Sequence, residues 1–245
     1  MWGSSGADPG EFSKPRGIAV NSAGVVYVAD SANHRIQYFP PKVSVSKGVI
    51  VRTSSSAAWV KFGMPVTVTA SLVDTGGVVL TGRTLTLDTS YDGSNWSYIG
   101  SFDSTAGVYT WTQPIDRKTR FRWSFSGDAV YAAAEGYVIP NSQAFLTTPS
   151  GSSRARLYTA LTLSGDLKPR HPAGSGAVTL QAYRYEGGRW VYRTSAAAVL
   201  ENKLGFSRYV GKVFFTSGGR WRVRAYHRDS DHTATYSGYW YVAVK

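Results

Sequence analysis

Apolar residues along this chain fall in short runs broken by Gly, Asn, Asp and Ser. No stretch of about 12 residues carries an apolar stripe at helical spacing, so strands and turns are expected and almost no helix. In the first segment the runs 17–20, 25–29 and 35–39 read as three strands. Asn21-Ser22-Ala23-Gly24 makes a tight turn in which Gly24 can take positive φ. Asp30-Ser31-Ala32-Asn33-His34 makes the next, since Asp and Asn bond their own backbone in turns. Three strands so closely spaced form a meander. Further on, strand candidates at 66–72, 83–89, 97–102, 107–111, 119–126 and 133–139 alternate with turn signals, the spacing of an antiparallel sandwich. Alternation puts Phe121, Trp123 and Phe125 on one face and Arg120, Arg122 and Ser124 on the other.

The last segment repeats this plan. Residues 178–185 match 84–91, Gly187-Gly188-Arg189-Trp190 matches Gly93-Ser94-Asn95-Trp96, and Gly219-Arg220-Trp221-Arg222-Val223 matches Thr119-Arg120-Phe121-Arg122-Trp123. Pro40-Pro41 reads as a stiff linker after the first segment, and 139–153 as the linker between the other two.

The run Gly10-Glu11-Phe12-Ser13-Lys14-Pro15-Arg16-Gly17-Ile18-Ala19-Val20, with Val25-Val26-Tyr27-Val28-Ala29-Asp30 and Asn33-His34-Arg35-Ile36-Gln37 behind it, resembles one NHL repeat. That resemblance implies a β-propeller blade, from a family whose propellers bind proteins, RNA or other ligands and in some relatives act as lyases. One repeat alone cannot bury both of its faces. The blade is therefore expected either to end a longer, truncated propeller or to dock on a neighbour or another chain. A lyase site would draw metal ligands and catalytic groups from several blades. The stretches Pro65-Val66-Thr67-Val68, Gly82-Arg83-Thr84-Leu85-Thr86-Leu87 and Phe125-Ser126-Gly127-Asp128 resemble bacterial Ig-like modules, and the last segment is similar to a basic, Tyr-rich variant of them. The resemblance implies a spacer, adhesive or ligand-presenting role in a secreted or cell-surface protein. The expected fold is thus all-β: a propeller-type meander over 1–41, then two tandem Ig-like antiparallel sandwiches over 42–148 and 153–245.

Composition supports this frame. Aromatics reach 14%, Gly is plentiful, and 42% of residues are hydrophobic, enough for packed cores. With no Cys, disulfides, thiolate nucleophiles and Cys-ligated metals are excluded. No apolar run is long enough to span a membrane, and the first residues carry no signal-peptide pattern, so an export signal is expected upstream. The net charge is +12, and residues 150–245, with fifteen basic and five acidic side chains, hold +10 of it. Such asymmetry points to an anionic partner, or to a solubilising surface.

Candidate chemistry concentrates in that segment. Alternation puts Arg220, Arg222 and Arg224 on one strand face with Trp221 and Val223 inside, and points Tyr183 and Tyr185 outward while Val178, Leu180 and Ala182 point in. If both strands share a sheet, these five residues form a ligand-binding face suited to an anionic cell-envelope polymer, by charge and by stacking. The competing reading is that Arg and Tyr cover apolar surface and pair across strands. Trp96 and Trp190 are assigned to core or rim packing. His227-Arg228-Asp229-Ser230-Asp231-His232 could hold a divalent metal, but a polar loop is the preferred reading, with Arg228 opposing a cation. No catalytic residue, metal or cofactor is assigned. Nucleic acid is disfavoured as a partner, since no recognition-helix, RNA-binding-strand or zinc-finger pattern is present. The leading reading is a non-catalytic extracellular scaffold that spaces or tethers an NHL propeller. The alternatives are a polymer-binding C-terminal module, with another surface protein as a further possible partner, and the C-terminal fragment of an NHL-propeller enzyme.

Overall fold

The computed structural model describes residues 3–40 and 46–245, and the expected linker residue Pro41 lies outside them. The chain divides into two compact units, Met1–Ser46 and Lys47–Lys245. Among the described residues the structure is all-β, with one 3-10 turn at Ser31–Asn33 and no α-helix. No helix among these residues is long and apolar enough to cross a membrane.

In the first unit β1 (Pro15–Val20), β2 (Val26–Asp30) and β3 (Arg35–Phe39) form an antiparallel meander. The first turn is as expected: Gly24 takes φ 75° and the Asn21 side chain accepts from the Ala23 and Val25 N–H groups, each at 3.0 Å. The second is not. Asp30 is fully buried and ties distant segments together, accepting from Ser13 N–H (2.7 Å), Asn33 Nδ2 (2.8 Å), Arg35 Nε (2.8 Å) and Gln37 Nε2 (3.1 Å). Burial pushes its carboxyl up, but these donors outweigh burial and hold it down at about 2. A depressed folded-state value contributes stability that is fully present above the ordinary value of 3.8 and is lost as pH falls through about 2. Asp30→Asn is therefore expected to open the meander to proteolysis at neutral pH. Slow exchange of the Ser13 amide in the native chain should disappear between about pH 4 and pH 2. Protection unchanged in Asp30→Asn would remove Asp30 as the keystone.

The second unit begins with β4 (Val49–Ser55), β5 (Trp59–Lys61), β6 (Pro65–Asp74), β7 (Arg83–Ser90), β8 (Ser97–Ser104), β9 (Val108–Pro114), β10 (Arg120–Phe125) and β11 (Ala134–Val138). Two antiparallel sheets, in order β8-β7-β10-β11 and β9-β6-β4, face each other across a core that includes Val66, Val68, Leu72, Leu85, Leu87, Phe121 and Trp123. β4 escaped the sequence reading because only Val51 in it is buried and its second half is Ser and Thr. At one edge β11 meets β4 so closely that a Cβ on Gly136 would lie 2.3 Å from the Val51 carbonyl oxygen. Beyond β11 comes the short β12 (Asn141–Gln143).

The rest comprises β13 (Ala160–Lys168), β14 (Gly174–Glu186), β15 (Arg189–Lys203), β16 (Phe206–Phe214), β17 (Gly219–His227), β18 (His232–Thr233) and β19 (Trp240–Val244). Here the structure departs from two separate sheets. The order β13-β16-β15-β14-β17-β19 is continuous, because the 15-residue β15 pairs with β14 through its first part and with β16 through its last. Inner residues from both ends of this sheet, Leu163 and Tyr209 at one and Trp221 and Val242 at the other, share one core, so the sheet folds over on itself.

Residues 139–153 are not a loose linker either. β12 pairs in parallel with β5 on one side and β18 on the other, Ala144 and Leu146 are buried, and the Thr147 carbonyl accepts from Tyr209 Oη at 2.7 Å. Pro149-Ser150-Gly151 and the polar residues around it read as a linker in the sequence. Their backbone groups are nonetheless laddered into both halves of the unit.

Candidate functional site

The register places β17 beside β14, so the condition for a shared face is met. Arg222 lies opposite Tyr183, Arg224 opposite Gln181, and Trp221 opposite Arg184. Trp221, Val223 and Ala225 are buried in the core, while Arg222 and Arg224 are half-buried on the outer face and Arg220 is exposed. All five residues expected from the sequence come together.

The guanidinium groups stand over aromatic rings along the whole row. Arg220 lies 4.9 Å from the centre of the Tyr185 ring. Arg222 lies 3.8 Å from Tyr239 and 4.8 Å from Trp190. Arg224 lies 4.0 Å from Tyr236 and donates through Nε to Gln181 Oε1 (3.1 Å) and through Nη2 to Tyr183 Oη (2.8 Å). The rings also brace one another, Tyr185 against Trp190 at 5.1 Å and Trp190 against Tyr241 at 5.8 Å. Each cation–ring contact is worth about 0.5–1 kcal/mol where exposed and about 2 where dry. A row of them fixes otherwise flexible side chains on the outer face. A shallow depression of about 390 Å³ opens beside Trp190, Arg220 and Tyr241.

Sequence reasoning missed Tyr236, Tyr239 and Tyr241, and it assigned Trp190 to packing. Trp190 does pack, but against the face itself. The internal repeat held the signal for it: Arg122 stands 4.4 Å over Trp96 in the first sandwich as Arg222 stands over Trp190. The two copies differ in charge. The residue opposite Arg122 is Asp88, whose Oδ2 it meets at 2.9 Å, with Glu135 at 3.7 Å on the far side. The residue opposite Arg222 is Tyr183. The ion pairs of the C-terminal module's arginines and lysines run from Arg184, Arg193 and Lys203 to Glu186 and Glu201. Among the described residues no carboxylate pairs with Arg220, Arg222 or Arg224. Arg222 Nε is buried without a hydrogen-bond partner.

The four histidines divide differently from the sequence reading. His34 caps the 3-10 turn of the first unit. His227, Asp229 and His232 come together, and His171, which the sequence gave no reason to add, joins them. Asp231 contributes only backbone, accepting from Lys118 N–H at 2.7 Å, and Arg228 is exposed.

Comparison with known proteins adds little to this geometry. A search of the curated proteins finds no match. Among solved structures the chain is similar to a tetra-tandem repeat in the extending region of a large adhesion protein, at 12% identity and TM-score 0.42, over 89% of this chain and 55% of that one. It is also similar to three N-terminal domains of the bacteriophage RB49 highly immunogenic outer capsid protein, at 11% identity and TM-score 0.37, over 91% and 78%. A third similarity is to the Escherichia coli adhesin FdeC, at 16% identity and TM-score 0.31, over 94% and 81%. The model of the NHL repeat matches residues 12–39.

Proposed function

We propose that this chain is a non-catalytic binding scaffold of an exported, surface-located protein, and that its C-terminal module grips an anionic envelope polymer of the teichoic acid or acidic polysaccharide type. The observation that carries this reading is the contrast between the two repeats. The first sandwich pairs its stacked Arg122 with Asp88 and Glu135, whereas the second presents three stacked arginines without carboxylate partners. Planar guanidinium groups recognise phosphate or carboxylate oxygens through paired N–H donors, and the rings offer sugars a flat surface.

The NHL repeat supports the scaffold part. Ile18 and Val20 are exposed on one face of its meander and Ile36 and Tyr38 on the other, so each face offers apolar side chains suited to a neighbouring blade. In this reading the β-modules space or tether a propeller.

Binding of the intact chain to purified wall teichoic acid and to a neutral glucan, by isothermal titration at two ionic strengths, tests the polymer. Affinity for the anionic polymer is expected to fall by about tenfold or more between low and physiological salt, with no measurable affinity for the neutral one. Equal affinity for both, or insensitivity to salt, would overturn the reading.

A further inference from the structure

On β17 the arginines occupy the outer row. The inner row, Trp221-Val223-Ala225, ends on His227, which is fully buried. Three imidazoles converge there on one carboxylate. His171 Nε2 lies 2.9 Å from Asp229 Oδ2, His227 Nε2 lies 3.3 Å from the same oxygen, and His232 Nδ1 lies 2.9 Å from Oδ1. The four donor atoms lie within 4.8 Å of one another. The side chains of His171, His227 and His232 are 10%, 0% and 3% exposed.

The outward nitrogens decide the chemistry. His171 Nδ1 faces the Pro169 carbonyl at 2.8 Å, His227 Nδ1 the Ala177 carbonyl at 2.6 Å, and His232 Nε2 the Asp116 carbonyl at 2.9 Å. A carbonyl only accepts, so each outward nitrogen carries the proton. A neutral ring then turns a bare lone pair inward, and all three lone pairs meet around an acceptor that is itself anionic. His227 Nε2 makes no hydrogen bond there at all. Either all three rings are cationic, next to a dry core, or a cation takes the place of the inner protons. The backbone carbonyls behind each ring are the outer contacts that orient imidazole ligands on a metal.

We infer that His171, His227, His232 and Asp229 form a binding site for a divalent transition-metal ion of the zinc class. Three imidazole nitrogens and one carboxylate oxygen are a closed tetrahedral set, the pattern of structural sites. Calcium and magnesium prefer oxygen ligands throughout. In a tetrahedral zinc site the donors stand about 3.3 Å apart, so closing the observed set needs movements below about 1 Å per donor. Arg117, which neighbours Asp116 in sequence, is ion-paired with it at 3.2 Å.

The ion would act at the junction between the two halves of the unit. His232 lies on β18, which pairs with β12, and its outward N–H reaches Asp116 in the first sandwich. Asp231 in the same loop accepts from Lys118 N–H. His171 comes from the connection between β13 and β14. One ion would thus join three segments and set how the sandwich meets the folded sheet.

The test uses the intact chain, stripped with a chelator and titrated with zinc alone. One equivalent is expected to bind per chain, and the melting temperature to rise by roughly 5–10 °C at about 100 times the dissociation constant. Exchange of the Lys118 amide should slow at the same time. Cobalt in place of zinc should give the intense visible bands of a tetrahedral ion. His171→Ala is expected to weaken binding by at least about tenfold, and His34→Ala to leave it unchanged. The assignment is overturned if the stripped chain takes up no stoichiometric zinc, if its cobalt form is octahedral, or if folded His171→Ala binds as the native chain does. Should His171→Ala not fold, the cobalt spectrum and stoichiometry of the native chain decide.

Discussion

Trp123→Ala is expected to destabilise the Lys47–Lys245 unit by about 3–5 kcal/mol, the range for removing a buried Trp, and to lower its melting temperature by roughly 6–20 °C. Trp123 is 0% exposed, sits between Leu87 and Gly136 on the neighbouring strands, and meets Phe102 edge-on at 5.3 Å and Tyr109 at 6.2 Å. Its removal leaves a cavity bounded by two sheets that are held close by Gly136, so collapse around the gap is restricted. The indole Nε1 has no hydrogen-bond partner. Trp123→Phe discards that unsatisfied donor while keeping a ring in place, and should cost clearly less. Thermal unfolding followed by circular dichroism separates the two. Equal losses for Phe and Ala would mean that ring packing is not what Trp123 supplies.

Replacing Arg220, Arg222 and Arg224 together by Gln is expected to weaken polymer binding by about 10- to 100-fold. Gln keeps part of each stem on the apolar surface and removes the charge. Each ion pair that a polymer anion makes with an exposed or half-buried guanidinium contributes on the order of 0.5–1 kcal/mol, and 1.4 kcal/mol is tenfold in affinity. The loss should shrink as salt rises, because the removed contribution is the screened one.

Much of this architecture is legible in the sequence because the alternation is clean. Phe121, Trp123 and Phe125 in the first sandwich and Trp221 and Val223 in the second are buried as their spacing predicts, with the arginines between them outside. Alternation names the face of each residue but not its neighbours across the sheet. It therefore yields Arg220, Arg222 and Arg224, while Tyr236, Tyr239 and Tyr241 come into view only once the closing segment lies beside β17. β4 and β12 carry too few buried side chains to leave a pattern, since backbone pairing holds them. Asp30 looks like any turn aspartate, and its burial depends on Ser13, Arg35 and Gln37 arriving from other segments. The histidine cluster is the extreme case. His227 and His232 are close in sequence, but His171 reaches them only because β14 pairs with β17 and returns its preceding turn to the end of that strand.

The most direct measurement of the central claim is a titration of wall teichoic acid into three folded forms of the chain at low salt: native, Arg220→Gln with Arg222→Gln and Arg224→Gln, and a charge-matched control with Arg154→Gln, Lys212→Gln and Lys245→Gln. The control removes the same charge from exposed positions outside the stacked row. The account predicts a loss of about 10- to 100-fold for the stacked arginines and at most about threefold for the control. Equal losses in the two variants would show that net charge alone attracts the polymer, and would contradict a built binding face.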